Sequence, residues 1–132
     1  MIRIAYRSKA TRPELAVAAL ADIIAVSDQL NRRDGLSGGL LVSRGRFFQV
    51  LEGEAVDVDR ALSRIGKDPR HKDVDVVFRS AVTRRLFRDW AVVAAQVTPD
   101  VAPEIDAAID ACDHAPVMAV ERLRLLIERQ RC

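Results

Sequence analysis

Five short stretches of the chain have the alternation of apolar and polar residues that is typical of β-strands. The first begins near the N-terminus, with apolar side chains at Ile2, Ile4 and Tyr6, which is the period-two pattern of a strand. The next two are separated only by Arg44 and Gly45, a connection short enough for a hairpin. The four later predicted strands cover residues 37–43, 46–52, 73–82 and 90–97.

Four other segments place apolar residues at the spacing of an amphipathic helix. The first is predicted to begin at a capping box formed by Thr11 and Glu14, with Pro13 in its first turn, and to end near Asn31. The remaining predicted helices cover residues 54–66, 104–112 and 117–131.

The order of these elements, β-α-β-β-α-β-β, predicts an α+β fold of the ferredoxin-like type, with two helices on one face of a mixed sheet. Prolines at positions 99 and 103 mark a linker, so we divide the chain into residues 1–97 and a C-terminal extension, 98–132, that belongs to the same structural unit. The two helices of the extension carry apolar stripes that must be buried. We expect them to dock on the far face of the sheet or to pair there with a second subunit.

The composition indicates one soluble globular domain. The chain has 132 residues, of which 49% are apolar and 30% charged, and a net charge of +2, which is too small to indicate nucleic-acid binding. No apolar run is long enough to span a membrane, no signal-peptide core is recognisable, and the two cysteines lack metal-ligand spacing. We therefore expect a cytoplasmic protein that binds neither membrane nor nucleic acid.

Motifs of the common enzyme classes do not occur. His71 and His114 have no partners at metal-ligand spacing, and there is no P-loop or nucleophile elbow. Asp68 and His71 could be imagined as an acid–base group, although the polar end of a helix accounts for them better. An acylphosphatase-like enzyme would share the fold but needs a glycine-rich anion-binding loop after the first strand, and this chain has none. It is our distant third hypothesis.

Three polar residues are predicted to converge between the first two helices. Tyr6 and Gln49 share the strand parity of Ile4 and Leu51, and Asn31 lies where the first helix is predicted to end. Each could have a purely structural role when it is considered alone. Gln49, however, is flanked by apolar residues, and burial of an unpaired amide costs roughly 1–3 kcal/mol. It therefore needs a partner, which is either Tyr6 or the polar edge of a ligand.

Five motifs occur in a fixed order along the chain. They are YRS at Tyr6, NRRDGLSGGLL from Asn31, FFQVLEG from Phe47, DPRH from Asp68 and FRDW ending at Trp90. Each is weak evidence alone, but the ordered set resembles the BLUF family of flavin-binding blue-light sensors. The resemblance covers about residues 2 to 97.

The resemblance implies that a flavin lies between the two helices, usually FAD, with FMN or riboflavin as the alternatives. It implies that Asn31 hydrogen-bonds the polar edge of the ring and that Ile23 and Ile65 contact its two faces. Arg64 and Asp68 would help to hold the polar edge or the ribityl chain.

The resemblance also implies photochemistry without substrate turnover. Gln49 would lie between Tyr6 and the flavin, and light would drive transient transfer of an electron and a proton from Tyr6 through Gln49. The amide would then reorient or tautomerise, and the absorption of the flavin would shift to the red. Trp90 and Val92 would relay this change to a partner protein or to an oligomer interface.

Three positions depart from the family pattern. Leu30 stands where a second polar contact is usual, Val92 where a methionine is common, and Ala91 where a serine is usual. Leu30 bears on flavin affinity. Val92 bears on signal relay, because a valine side chain cannot swing inward as the long thioether of methionine can.

About 35 residues lie beyond the match, too few for a fused cyclase or phosphodiesterase. We therefore expect a stand-alone photoreceptor that forms a dimer or a higher oligomer and signals to an unknown partner. The second hypothesis is a flavin-free interaction module of the same fold, in which Tyr6 and Gln49 bond to each other.

Overall fold

A computed structural model describes residues 1–12, 16–95 and 97–130, without the side chains of residues 16–20. In chain order the elements are β1 (Ile2–Ala10), α1 (Ala16–Arg33), β2 (Ser37–Ser43), β3 (Arg46–Gly53), α2 (Ala55–Gly66), β4 (His71–Ala81), β5 (Trp90–Ala94), α3 (Ala102–Ala111) and α4 (Pro116–Gln130). A turn of 3₁₀ helix, Pro99–Val101, lies within the predicted linker. Pro13 and Glu14 of the predicted capping box lie outside the described residues.

Most predicted elements are present, and the differences are at their ends. β5 was expected to reach Val97, but it ends at Ala94. The backbone N–H groups of Val97 and Thr98 both donate to the Ala94 carbonyl (3.0 and 2.9 Å), so the chain turns there instead of continuing along the sheet. α1 extends two residues beyond Asn31, so this residue lies in the last turn of the helix and does not terminate it.

The five strands form one mixed sheet in the order β4-β1-β3-β2-β5. The first four are antiparallel to their neighbours, and β5 runs parallel to β2. This arrangement confirms the predicted ferredoxin-like sheet with an additional strand at its edge. Its register places Tyr6 of β1 directly opposite Gln49 of β3, which in turn lies opposite Leu40 of β2.

The two faces of the sheet are covered by different pairs of helices. α1 and α2 cover the face that carries Ile4, Tyr6 and Leu51, as strand parity predicts. α3 and α4 pack on the far face, against Ala5, Leu41, Phe48, Val50 and Val93. The predicted docking of the C-terminal helices on this face is therefore confirmed. None of the helices in the described part of the chain is long and apolar enough to cross a bilayer.

Two consecutive glycines in β2 permit close packing on two different sides. Gly38 has a φ of +150°, and a Cβ there would lie 1.8 Å from the carbonyl oxygen of Val50 in β3. A Cβ at Gly39 would lie 2.4 Å from Cδ1 of Ile127 and 3.2 Å from Cδ1 of Leu123, both in α4. Gly38 therefore allows β2 to lie close to β3, and Gly39 allows α4 to lie directly on the sheet.

Candidate functional site

A cavity of about 350 Å³ opens between α1, α2 and the sheet, a size within the usual range of small-molecule sites. Its lining includes all seven residues that were predicted to contact a ligand, namely Tyr6, Ile23, Asn31, Gln49, Arg64, Ile65 and Asp68. Trp90 and Val92 pack in the hydrophobic cluster on the same face of the sheet but do not line the cavity.

A chain of two hydrogen bonds runs from the cavity wall toward β5. The Gln49 Nε2 group donates to the Tyr6 hydroxyl at 2.5 Å, and the Trp90 Nε1–H donates to Gln49 Oε1 at 3.0 Å. These side chains are all buried, with exposed fractions of 1% for Tyr6, 3% for Gln49 and 5% for Trp90. Of the two partners that the sequence left open for Gln49, the Tyr6 hydroxyl bonds to it here, and Trp90 is a further partner that the sequence pattern had not identified.

The sheet explains how this chain forms. Tyr6 and Gln49 are directly paired across β1 and β3, so their side chains lie side by side on one face. Trp90 is in β5, opposite Gly38 of β2, and β2 separates β5 from β3. Neighbouring strands are about 4.8 Å apart, so the indole of Trp90 and the side chain of Gln49 together span the two strand spacings.

The environment of Tyr6 keeps its phenol protonated. Burial raises the pKa of the hydroxyl far above its usual value, the Gln49 bond opposes this only in part, and the Asp68 carboxylate raises it further. The hydroxyl accepts the bond from Gln49, and its own proton has no hydrogen-bond acceptor among the described residues.

Asn31 supplies the cavity wall with an amide that bonds no other described residue. Its side chain lines the cavity, the residue is only 3% exposed, and no hydrogen bond of its amide occurs within the described part of the chain. Its polar atoms are not among the fully buried ones that lack a partner, so the amide is accessible from the cavity. A ligand with a hydrogen-bonding edge would supply a partner for it.

His71 also lines the cavity, although no sequence pattern assigned it to a ligand site. Its Nδ1 forms a 3.0 Å hydrogen bond with the hydroxyl of Ser8, and its ring lies 4.7 Å from that of Phe47, centroid to centroid. Burial lowers the pKa of His71, an effect that Asp68 opposes and Arg70 reinforces. The imidazole is therefore held neutral at the cavity wall.

The α2 side of the cavity opening carries most of its charge. Arg64, Lys67 and Arg70 line it together with Asp68. Arg70 donates to the Asp68 carboxylate at 2.7 Å and thereby lowers the pKa of that acid. Arg64 lies 3.6 Å from Asp34, at the end of α1. The opening therefore has an excess of positive charge. No group of three potential metal ligands occurs among the described residues.

The geometry describes a ligand-sized cavity with a chain of buried hydrogen bonds in its wall, and comparison with known proteins identifies the family. The family model "BLUF: Sensors of blue-light using FAD" matches residues 1–93. The chain belongs to the BLUF family of flavin-binding blue-light sensors.

Relatives in sequence and in structure agree with this assignment. The photoactivated adenylate cyclase subunit beta of Euglena longa is 39% identical over 89 residues, which are 67% of this chain and 10% of that protein. This chain therefore spans about a tenth of that curated relative. A bacterial light-regulated adenylyl cyclase superposes with a TM-score of 0.72 at 27% identity, over 84% of this chain and 35% of the other.

A third comparison covers nearly the whole chain. The dark-state structure of BlrB, a BLUF protein, superposes with a TM-score of 0.78 over 96% of each chain. The identity is 24%, so this likeness concerns the fold, including the C-terminal helices. BLUF domains are photosensory modules, and an acylphosphatase-like activity is not favoured.

Proposed function

We propose that this protein binds FAD non-covalently in the cavity between α1 and α2 and uses Tyr6, Gln49 and Trp90 as a light-driven hydrogen-bond switch. The observation that carries the proposal is the buried Gln49 amide, which bonds Tyr6 with its nitrogen and Trp90 with its oxygen at the wall of a ligand-sized cavity. A glutamine amide has both donors and acceptors, so rotating it changes which neighbour it can bond.

The cavity suits the isoalloxazine ring of a flavin. Ile23 of α1 and Ile65 of α2 give the cavity an apolar wall on each of the two helices that border it. The Asn31 amide, which bonds no other described residue, suits the pyrimidine edge of the ring. The cationic opening near Arg64 suits a phosphorylated side chain, which favours FAD or FMN over riboflavin. The family description supports FAD as the usual form.

A bound flavin supplies a blue-absorbing chromophore and, when excited, a strong oxidant. Tyr6 is the residue of the cavity wall that can give up an electron together with a proton, because its phenol is buried and stays protonated. Its proton has no acceptor among the described side chains while Gln49 points its nitrogen at the hydroxyl. Gln49 therefore controls what Tyr6 can donate to.

Rotation of the Gln49 amide would replace two protein hydrogen bonds by one. After half a turn its oxygen would face Tyr6 and accept the hydroxyl proton, while its NH₂ group would face the Trp90 N–H, and two donors cannot bond. The rotated amide therefore costs roughly 1–3 kcal/mol in lost protein hydrogen bonds, which a ligand acceptor for the NH₂ group would offset. Two orientations separated by so few kcal/mol form a bistable element that light can bias.

Loss of the Trp90 bond is the step by which the change leaves the cavity. Trp90 begins β5, and Val92 lies two residues later on the same face. The signal would pass through this edge strand to a partner protein or to a second copy of the chain. We also propose that the protein acts in the cytoplasm, as the sequence indicates.

A visible spectrum tests the proposal. Purified protein should be yellow and should show a reversible red shift after blue illumination, and chromatography of the released chromophore should identify FAD. The shift should be lost in Gln49→Ala. A colourless preparation that fails to take up added FAD, FMN or riboflavin would refute the proposal.

The same spectrum tests the flavin-free interaction module. The structure contains the Tyr6–Gln49 bond, which both hypotheses accommodate, so this bond does not separate the two. The Asn31 amide favours a ligand, because it lines a ligand-sized cavity and bonds no other described residue.

A further inference from the structure

Glu52, near the end of β3, is a carboxylate buried away from the cavity. Its exposed fraction is 0%, and it does not line the cavity. A carboxylate in so dry an environment is costly unless several donors satisfy it. The groups that do so therefore indicate what Glu52 holds in place.

The loop between β4 and β5, residues 82–89, supplies two of the four groups that donate to Glu52. The backbone N–H of Leu86 lies 3.0 and 2.9 Å from the two carboxylate oxygens, and the N–H of Phe87 lies 3.0 Å from Oε1. Ser37 donates its hydroxyl to Oε1 at 3.3 Å, and Arg3 donates its Nε–H to Oε2 at 2.7 Å. Both oxygens of Glu52 thus accept bonds from the loop and from the sheet.

Arg85 gives the same loop a second attachment. Its guanidinium group donates to three acceptors at the adjoining ends of β2 and β3, namely Ser37 Oγ (2.7 Å), the Glu52 carbonyl (3.1 Å) and the Gly35 carbonyl (2.9 Å). The Gly38 N–H donates to the Asp89 carbonyl at 3.0 Å. The loop is therefore held to the sheet up to the residue before Trp90.

We propose that Glu52 is a positioning residue for the light switch. By binding the N–H groups of Leu86 and Phe87, it holds the loop where Trp90 can begin β5 with its indole N–H directed at Gln49 Oε1. Phe87 precedes Trp90 by only three residues, so a displaced loop moves the indole. This inference rests on the proposed function, because it assigns Glu52 an effect on the Gln49 switch.

Glu52→Gln is the direct test, since it keeps the shape of the side chain. Each carboxylate oxygen accepts at least two donors. In Glu52→Gln an NH₂ group replaces one of these oxygens. Its N–H groups then point at other hydrogen-bond donors, which weakens the attachment of the loop to β3. Asp59→Asn is the matched control: Asp59 lies on α2, is exposed, and bonds Arg79 at 2.8 Å. Both changes remove one negative charge, and only the first touches the loop.

Two measurements on the flavin-loaded protein should separate these variants. In the dark, amide exchange of Leu86 and Phe87 should be at least ~10-fold faster in Glu52→Gln than in wild type, since charge-assisted bonds are lost. The lifetime of the red-shifted form should change by more than ~3-fold. Asp59→Asn should change neither quantity, and the dark absorption of the flavin should be the same in all three proteins.

A second background shows whether Glu52 acts through Trp90. In Trp90→Phe the indole bond is already absent, so adding Glu52→Gln should leave the lifetime of the red-shifted form unchanged. An equal effect of Glu52→Gln in both backgrounds would overturn the proposal, and so would unchanged exchange at Leu86 and Phe87. If wild-type protein shows no red shift, the proposed function fails instead, and the two failures are thereby distinguished.

An exposed residue keeps the test available if Glu52→Gln does not fold. Arg85 is exposed, and Arg85→Gln weakens the second attachment of the same loop while it leaves the Glu52 carboxylate and its bonds to Leu86 and Phe87 in place. It should accelerate exchange at Leu86 and change the lifetime in the same direction as any folded Glu52 variant. If Arg85→Gln has the wild-type exchange rate at Leu86 and the wild-type lifetime of the red-shifted form, the proposal that this loop positions Trp90 is overturned.

Discussion

Removal of one oxygen atom, in Tyr6→Phe, should separate the light response from flavin binding. The ring of Tyr6 remains in the cavity wall, so the apolar contact with a ligand is kept. The hydroxyl that accepts the 2.5 Å bond from Gln49 is lost, and with it the group that can supply an electron and a proton. We expect a yellow protein with no red shift after illumination.

The effect on stability depends on the same hydrogen bond. A buried amide N–H that loses its acceptor costs roughly 1–3 kcal/mol. The lost hydroxyl, however, was a buried donor without a protein acceptor of its own, and its removal offsets part of that cost. We therefore expect the free energy of unfolding of the flavin-free protein to fall by about 1 kcal/mol. That change corresponds to roughly 3–6 °C in Tm for a chain of this size.

Circular dichroism melts of flavin-free protein and visible spectra before and after blue light check both outcomes. Thr98→Val is a suitable control because it also removes one hydroxyl with one hydrogen bond, from Thr98 Oγ1 to the Ala94 carbonyl at 3.0 Å, away from the cavity. The control should lose a similar amount of stability and keep the red shift. A full red shift in Tyr6→Phe would refute the role given to this residue.

Two further substitutions test other parts of the cavity. Asn31→Ala should weaken FAD binding by roughly 10- to 100-fold, as measured by titration calorimetry, because one ligand hydrogen bond is lost. It should leave the unfolding free energy of the flavin-free protein nearly unchanged. A large loss of unfolding free energy would show that Asn31 has a protein partner. His71→Gln should flatten the dependence of stability on pH. Burial lowers the pKa of His71 in the folded protein. Below the ordinary histidine pKa of 6.5, the unfolded chain therefore binds more protons than the folded protein does. The unfolding free energy falls as the pH decreases from 6.5 toward the folded-state pKa, by ~1.4 kcal/mol for each pKa unit by which folding lowers the pKa. Urea denaturation from about pH 5 to pH 7.5 should show this slope in wild type, and an equal slope in His71→Gln would contradict the assignment.

The cavity could be predicted to a large extent because the relevant signals are local. The parity of a strand decides which face each side chain takes, so Tyr6 and Gln49 could be assigned to the helix-covered face from alternation alone. Ile23 and Ile65 were assigned to the cavity by the family resemblance. Strand parity lies within one element and requires only that the element forms.

The residues that the sequence pattern missed depend on contacts between distant segments. Glu52 was predicted only as the last residue of a strand. Two of its partners are backbone N–H groups 34 and 35 positions later, and a backbone donor leaves no mark in the sequence. His71 is oriented by Ser8, 63 residues away. The Trp90–Gln49 bond requires β5 to pair with β2 in parallel, and strand parity does not specify that register.

Gly38 and Gly39 are adjacent in the sequence, yet they should be constrained differently in evolution. The side chain excluded at Gly38 would meet the backbone of β3, which every protein with this sheet must have. The one excluded at Gly39 would meet Ile127 and Leu123 of α4. In a relative whose far face is covered by another segment, the second glycine would be free to vary with that segment while the first would not. Alignments grouped by the type of segment C-terminal to the photosensory region should therefore show an invariant glycine at the position of Gly38. The position of Gly39 should vary with that segment.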